Sequence, residues 1–189
     1  MDAPSGTRPL GITLEDLMEQ YVDGSAEAFD DLYRRAAPKL LAYLMRLTQN
    51  RERAEDLLQV TFAKVHRARE SYLRGAPLLP WMLAIARRSF FDERRAAKSR
   101  SEDLSSDGTL PEPTQAEADL PADLSDALEK ALSGLPESYR EAITLTKITG
   151  LSVAEAAEVL GTTPTAVKLR VHRGYNLLRE RLEAFRRGA

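Results

Sequence analysis

Residues 161–182, GTTPTAVKLRVHRGYNLLRERL, gather Lys168, Arg170, His172, Arg173, Arg179 and Arg181 on one amphipathic segment of a chain whose formal net charge is only −2. A solvated helix ordinarily alternates its charges; this one is aimed at something negative. Thr163 followed by Pro164 marks its start, the threonine as N-cap and the proline in the first turn, where a missing N–H costs nothing. Just upstream, Ser152 and Glu155 form a capping box that opens a helix with Val153, Ala156, Ala157 and Leu160 on its apolar face. Gly161 ends it. Two helices joined by a turn of about four residues predict a helix-turn-helix, with small Ala154, Ala156 and Ala157 letting the second helix pack close. At roughly 100° per residue, Val167 and Val171 define the buried side of that second helix. Thr165, Leu169, His172 and Arg173 fall opposite, with Lys168 and Arg170 on the flanks. An exposed leucine ringed by donors suits thymine methyls beside guanine or phosphate oxygens in a major groove.

The near-neutral total conceals blocks of charge. Residues 1–31 carry eight acids against Arg8 alone; Arg87, Arg88, Arg94, Arg95, Lys98 and Arg100 then outnumber Asp92 and Glu93. Residues 102–129 hold nine acids and no base, and from Pro164 onward seven bases face Glu180 and Glu183. Two basic blocks separated by an acidic one imply different partners for different faces.

With 189 residues, 43% hydrophobic and 30% charged, the composition is that of a globular protein. No cysteine is present and only His66 and His172 are available as imidazoles, so thiolate, disulfide and histidine metal chemistry are poorly supplied. No run approaches the roughly 20 apolar residues of a membrane span, and MDAPSGTRPL lacks the features of a signal peptide. The expectation is a cytoplasmic protein without cofactor or metal.

The chain divides at residues 99–123, SRSEDLSSDGTLPEPTQAEADLPAD, whose three prolines, acids and serines make a linker. Both flanks read as helical, giving an all-α protein of two small domains. Leu14, Leu17, Met18 and Tyr21 share one face of a first helix. A second is expected over residues 26–48, kinked or broken at Pro38, and a third over about 51–69. A fourth begins at Trp81 after the loop SYLRGAPLLP (71–80). Beyond the linker, a helix from Leu124 ends near Ser133, and another begins with Pro136 in its first turn. Residues 1 to about 13 read as a disordered extension.

Three stretches carry a resemblance: AEDLLQVTFAKVHRA (54–68), PWMLAIARRSFFDERR (80–95) and SGLPESYREAITLTKITGLSVAEAAEVLGTTPTAVKLRVHRG (133–174). Together they resemble the extracytoplasmic-function (ECF) sigma factors of bacterial RNA polymerase, over about residues 26–97 and 124–184. The resemblance implies residues 1–25 as N-terminal extension and first helix, 26–98 as sigma region 2, 99–123 as a flexible acidic linker and 124–189 as sigma region 4. It implies that Glu55, Asp56 and Gln59 dock on core polymerase, with Val60 standing where relatives usually have Glu. It places the loop 71–80 and the helix after it at the −10 element, with Arg74, Trp81, Arg87 and Arg88 available to DNA; Trp81 suits core packing better still, and Arg88 replaces a common Asn. Lys168, Leu169, His172 and Arg173 map to the −35 contacts, Leu169 replacing a common Ser. The implied partners are core polymerase, promoter DNA and an anti-sigma factor, often membrane-anchored in the family.

Three other classes compete. A stand-alone helix-turn-helix regulator would usually dimerise across two half-sites and offers no reason for AEDLLQ. A helical protein-binding adaptor does not explain the arginine-rich wheel. An enzyme finds no nucleophile motif, phosphate-binding glycine loop or paired-carboxylate signature.

Overall fold

A computed structural model describes the backbone of residues 11–104 and 124–188. The extension before residue 11 and the acidic stretch 105–123 lie outside the described residues.

Among the described residues every regular element is helical. α1 (Leu14–Val22) opens with a reciprocal capping box, Asp16 N–H donating to Thr13 Oγ1 at 3.1 Å and Thr13 N–H to Asp16 Oδ2 at 2.8 Å. α2 (Ala26–Thr48) starts from Ser25, whose hydroxyl accepts from Ala28 N–H. It runs unbroken through Pro38; the proline is exposed, so the carbonyl deprived of an amide partner can meet water. Gln49 ends it in the left-handed region at φ 52°, and Asn50 at once caps α3 (Arg51–Ala68), accepting from Arg53 N–H at 2.9 Å. α4 (Leu78–Leu104) begins three residues before the expected Trp81, with Pro80 in its first turn. It also continues six residues into the segment whose composition reads as linker. Residues 99–104 contain neither glycine nor proline, so nothing in them stops a helix already under way.

The second half comprises α5 (Leu124–Ser133), α6 (Glu137–Ile143), α7 (Val153–Leu160) and α8 (Pro164–Gly188). Pro136 is the N-cap of α6 rather than its first helical residue. α6 passes directly into a π turn at Thr144–Ile148. The expected capping box of α7 is present, Glu155 N–H meeting Ser152 Oγ at 3.2 Å and Ser152 N–H meeting Glu155 Oε2 at 2.8 Å. Gly161 closes α7 at φ 60°, a conformation that favours glycine. α6 lies close against α8 at buried Gly174, where a Cβ would stand 2.7 Å from Ile143 Cδ1 and 3.2 Å from Tyr139 Cβ.

The halves are packed together. α7 lies on α4 and the π turn lies on α2. One apolar core runs from Leu17, Leu32, Leu40, Leu44 and Met82 of the first half to Ala142, Leu145, Leu151, Ala156 and Val167 of the second. A satellite core of Ala131, Leu132, Leu135, Ile143 and Leu178 joins α5, α6 and α8. Among the described residues no helix is long and apolar enough to cross a membrane.

Candidate nucleic-acid interface

α8 presents the face that its sequence requires. Thr163 Oγ1 accepts from Ala166 N–H at 3.2 Å, fixing the N-terminus, and Val167 is fully buried against the core. Thr165, Lys168, His172 and Arg173 are exposed, Leu169 is 47% exposed, and Arg170 is half-buried on the flank. His172 Nε2 lies 3.5 Å from Asn176 Nδ2, one turn on. These side chains place donors around an exposed apolar centre on one side of α8.

The second basic surface lies on α4. Arg87, Arg88, Phe91 and Arg95 line a shallow concavity of about 340 Å³. Arg88 is exposed, and its Nε donates weakly to Ala84 O at 3.4 Å. The Arg87 guanidinium sits over the Phe91 ring, 4.7 Å from its centroid. It is also turned toward the other half of the molecule, with Nε donating to Glu141 Oε1 at 2.9 Å. Arg74 is likewise occupied, held by both carboxylate oxygens of Asp23 with Glu19 nearby. Trp81 is half-buried, packed beside Tyr72 with ring centroids 5.6 Å apart. Of the four residues expected at this DNA surface, Arg88 is exposed, Trp81 is half-buried, and Arg74 and Arg87 carry carboxylate partners.

Comparison with known proteins places both surfaces in one family. The model for sigma-70 region 2 matches residues 32–100, and that for sigma-70 region 4 matches residues 125–178. The RNA polymerase sigma factor CarQ of Myxococcus xanthus is 38% identical over 165 residues, covering 87% of this chain and 95% of CarQ. The ECF RNA polymerase sigma factor SigF of Caulobacter vibrioides is 33% identical over 174 residues, covering 89% and 93%. The chain belongs to the ECF sigma factors of bacterial RNA polymerase. Such a factor is a transcription initiation factor that binds core polymerase and directs it to promoters. The fold is shared with the Bartonella quintana sigma factor RpoE in its complex with the anti-sigma factor NepR. The TM-score is 0.71 at 30% identity, over 84% of this chain and 98% of that one. CnrH in complex with the cytosolic domain of CnrY gives 0.67 at 25% identity, over 90% and 97%.

On this sigma factor the three residues expected at core polymerase share one side of α3. Asp56 and Gln59 are exposed, while half-buried Glu55 accepts from Arg51 Nε at 2.8 Å. Val60 beside them is 44% exposed. What sequence reasoning missed is polar and buried. Glu141 is 4% exposed, and its Oε1 receives both Arg87 and the Tyr43 hydroxyl, the latter at 2.6 Å. Burial, then the Glu141 charge, pushes the Tyr43 phenol well above its ordinary value, so it stays a donor. Arg94 of α4 donates to Glu137 at 2.9 Å, a second ion pair across the same seam. One signal was available: Glu141 stands four residues before Leu145, in line with the apolar face of its helix.

Proposed function

We propose that the exposed face of α8 reads the −35 element through Thr165, Lys168, Leu169, Arg170, His172 and Arg173. The loop 71–80 and the basic face of α4, with Arg74, Trp81, Arg87 and Arg88, engage the −10 element. Glu55, Asp56 and Gln59 dock on core polymerase. Residues 26–98 and 124–189 then act as regions 2 and 4 about the acidic linker 99–123. The chain supplies recognition and strand capture, with no catalysis of its own, and works in the cytoplasm beside polymerase and promoter. The observation that carries this reading is the convergence of a solvent-facing leucine and its ring of donors on one side of α8.

The mechanism follows from geometry and charge. Neither DNA surface need bind tightly alone, because holding both on one polymerase raises the effective concentration of the second once the first has bound. Captured bases in the −10 strand offset the cost of unstacking. Phosphate contacts make affinity fall steeply with salt. The packed form restrains both regions, with Arg87 facing Glu141 instead of DNA, so the regions separate when polymerase sets them on two promoter elements. RpoE, which shares this fold, was solved with the anti-sigma factor NepR, and CnrH with the cytosolic domain of CnrY. An anti-sigma factor that stabilises the packed form would keep this chain from polymerase.

The test mixes the chain with core polymerase and a promoter library and sequences the transcripts. Core-dependent starts at a fixed distance from a shared two-part motif support the proposal. Specific duplex binding by the chain alone, with no core-dependent transcript, overturns it in favour of a stand-alone regulator.

A further inference from the structure

The acidic stripe of α1 is unexplained by the surfaces above, and α1 lies outside the residues matched by the region 2 model, which begin at 32. Glu15, Glu19 and Asp23 recur every four residues and so lie along one side of the helix. Each engages the loop between the short helical turn at Arg69–Ser71 and α4. Glu15 Oε1 accepts from Leu78 N–H at 2.9 Å, capping the first residue of α4 from a different helix. A carboxylate there also faces the positive end of a 27-residue helix. Glu19 Oε1 accepts from Gly75 N–H at 3.0 Å, where φ is 75°. Asp23 takes Arg74 in a two-pronged pair, with Nη1 to Oδ2 at 3.1 Å. From inside the loop, the buried Tyr72 ring packs on Trp81, and its hydroxyl donates to Ala76 O.

The residue between these anchors behaves oppositely. Leu73 is 76% exposed, the most exposed large hydrophobic side chain among the described residues. Its neighbours Tyr72 and Arg74 are both fastened, so the leucine is held out in water by design of the loop rather than by lack of order around it. Apolar side chains of this kind act as wedges against unstacked bases. An exposed ion pair such as Asp23–Arg74 adds little stability by itself. The two backbone N–H groups received by Glu15 and Glu19 are what fix the path of the chain.

We infer that α1 is a positioning element for promoter opening: Glu15, Glu19 and Asp23 hold residues 72–78 so that Leu73 meets an unpaired base of the −10 strand. This rests on the assignment of the loop 71–80 to the −10 element. The double variant Glu15→Ala/Glu19→Ala removes both acceptors, whereas Glu15→Gln/Glu19→Gln keeps an oxygen in each place.

Full-length variants are read in two ways. In the free protein, amide exchange at Gly75 and Leu78 and the emission of Trp81, the single tryptophan, report on the loop without any DNA. With core polymerase, a promoter library reports −10 and −35 preferences separately. The alanine pair is expected to speed exchange at both amides, shift the Trp81 emission and lower open-complex formation roughly three- to tenfold, the net effect of losing about one ordinary hydrogen bond. Selectivity at −10 should flatten while −35 selectivity and core binding hold, and the glutamine pair should recover most of the loss. Should the double variant fold poorly, Glu19→Ala against Glu19→Gln gives the same comparison. Unchanged exchange in the alanine variants overturns the inference. So does an altered −10 preference in Leu73→Ala with none in the alanine pair, which leaves the loop assignment standing. If Leu73→Ala and the alanine pair both leave −10 preference intact, the loop assignment itself fails and the inference with it.

Discussion

Replacing Glu141 with leucine removes the carboxylate on which the packing of the two regions converges. Tyr43 is fully buried, so its hydroxyl loses its partner with no water to replace it, a cost of about 1–3 kcal/mol. Removing one partner of a buried ion pair costs about 3–5 kcal/mol when the other is left trapped. Arg87 is not fully trapped, since its side chain retains 28% exposure and can turn to solvent beside Phe91. Discounting the ionic part accordingly leaves about 2–4 kcal/mol against the packed form. At about 1.4 kcal/mol per decade, the ratio of packed to separated molecules falls between about thirtyfold and several hundredfold.

The chain contains no cysteine, so dyes can be placed on cysteines substituted for Glu52 and Glu158, both exposed and one in each half. Energy transfer between them should fall in Glu141→Leu, while far-ultraviolet circular dichroism shows the helices intact. Adding Tyr43→Phe supplies the decisive comparison. It deletes the orphaned hydroxyl and leaves two apolar groups in contact, an exchange that is often neutral or stabilising. The double variant should therefore recover the part of the loss owed to Tyr43. Energy transfer unchanged in the single variant, or no higher in the double, would refute the reasoning that this buried cluster decides the packing.

Arg173→Ala should weaken initiation chiefly at the −35 element, by roughly tenfold if the side chain contacts a base, with core binding intact in a pull-down. Asp56→Ala with Gln59→Ala should weaken assembly with core polymerase in the same pull-down while helical content stays unchanged. Pro38→Ala, at an exposed position inside α2, should raise stability by about 1–3 kcal/mol in urea unfolding, less whatever entropy the proline removed from the unfolded chain. The Asp23 carboxyl is held below its ordinary 3.8 by the hydrogen bond from Arg74. A depressed carboxylate contributes stability that is fully present above its unfolded value and lost as pH falls through the lower folded one. Ordering of the Arg74 guanidinium on Asp23 should therefore be lost below about 3.8 in the native chain, as followed by the Arg74 side-chain N–H signals in NMR, and should be absent at every pH in Asp23→Asn.

Where local rules act alone, the sequence was sufficient. The capping box of Ser152 and Glu155, the left-handed stop at Gly161, the Thr163–Pro164 start and the buried Val167 are each set by neighbours within four residues, and all are found. The boundaries of α4 were harder because composition is a poor stop signal. Residues 99–104 are polar and belong by content to a linker, yet helix formation continues until a residue refuses it. The partners of the arginines were not legible at all. Arg87 and Arg94 read as half of a basic block, and Glu141 and Glu137 as ordinary helix charge some 40 to 55 residues away. No periodicity within a helix connects them. Only the packing of α6 and α7 onto α2 and α4 brings a buried carboxylate to a buried phenol and a half-buried guanidinium. The same holds for α1, whose acids look like solvated charge until the loop 72–78 is seen against them. Residues facing solvent or DNA declare themselves through their spacing, because one helix presents them. Charges that hold one element against another are visible only once both elements are in place.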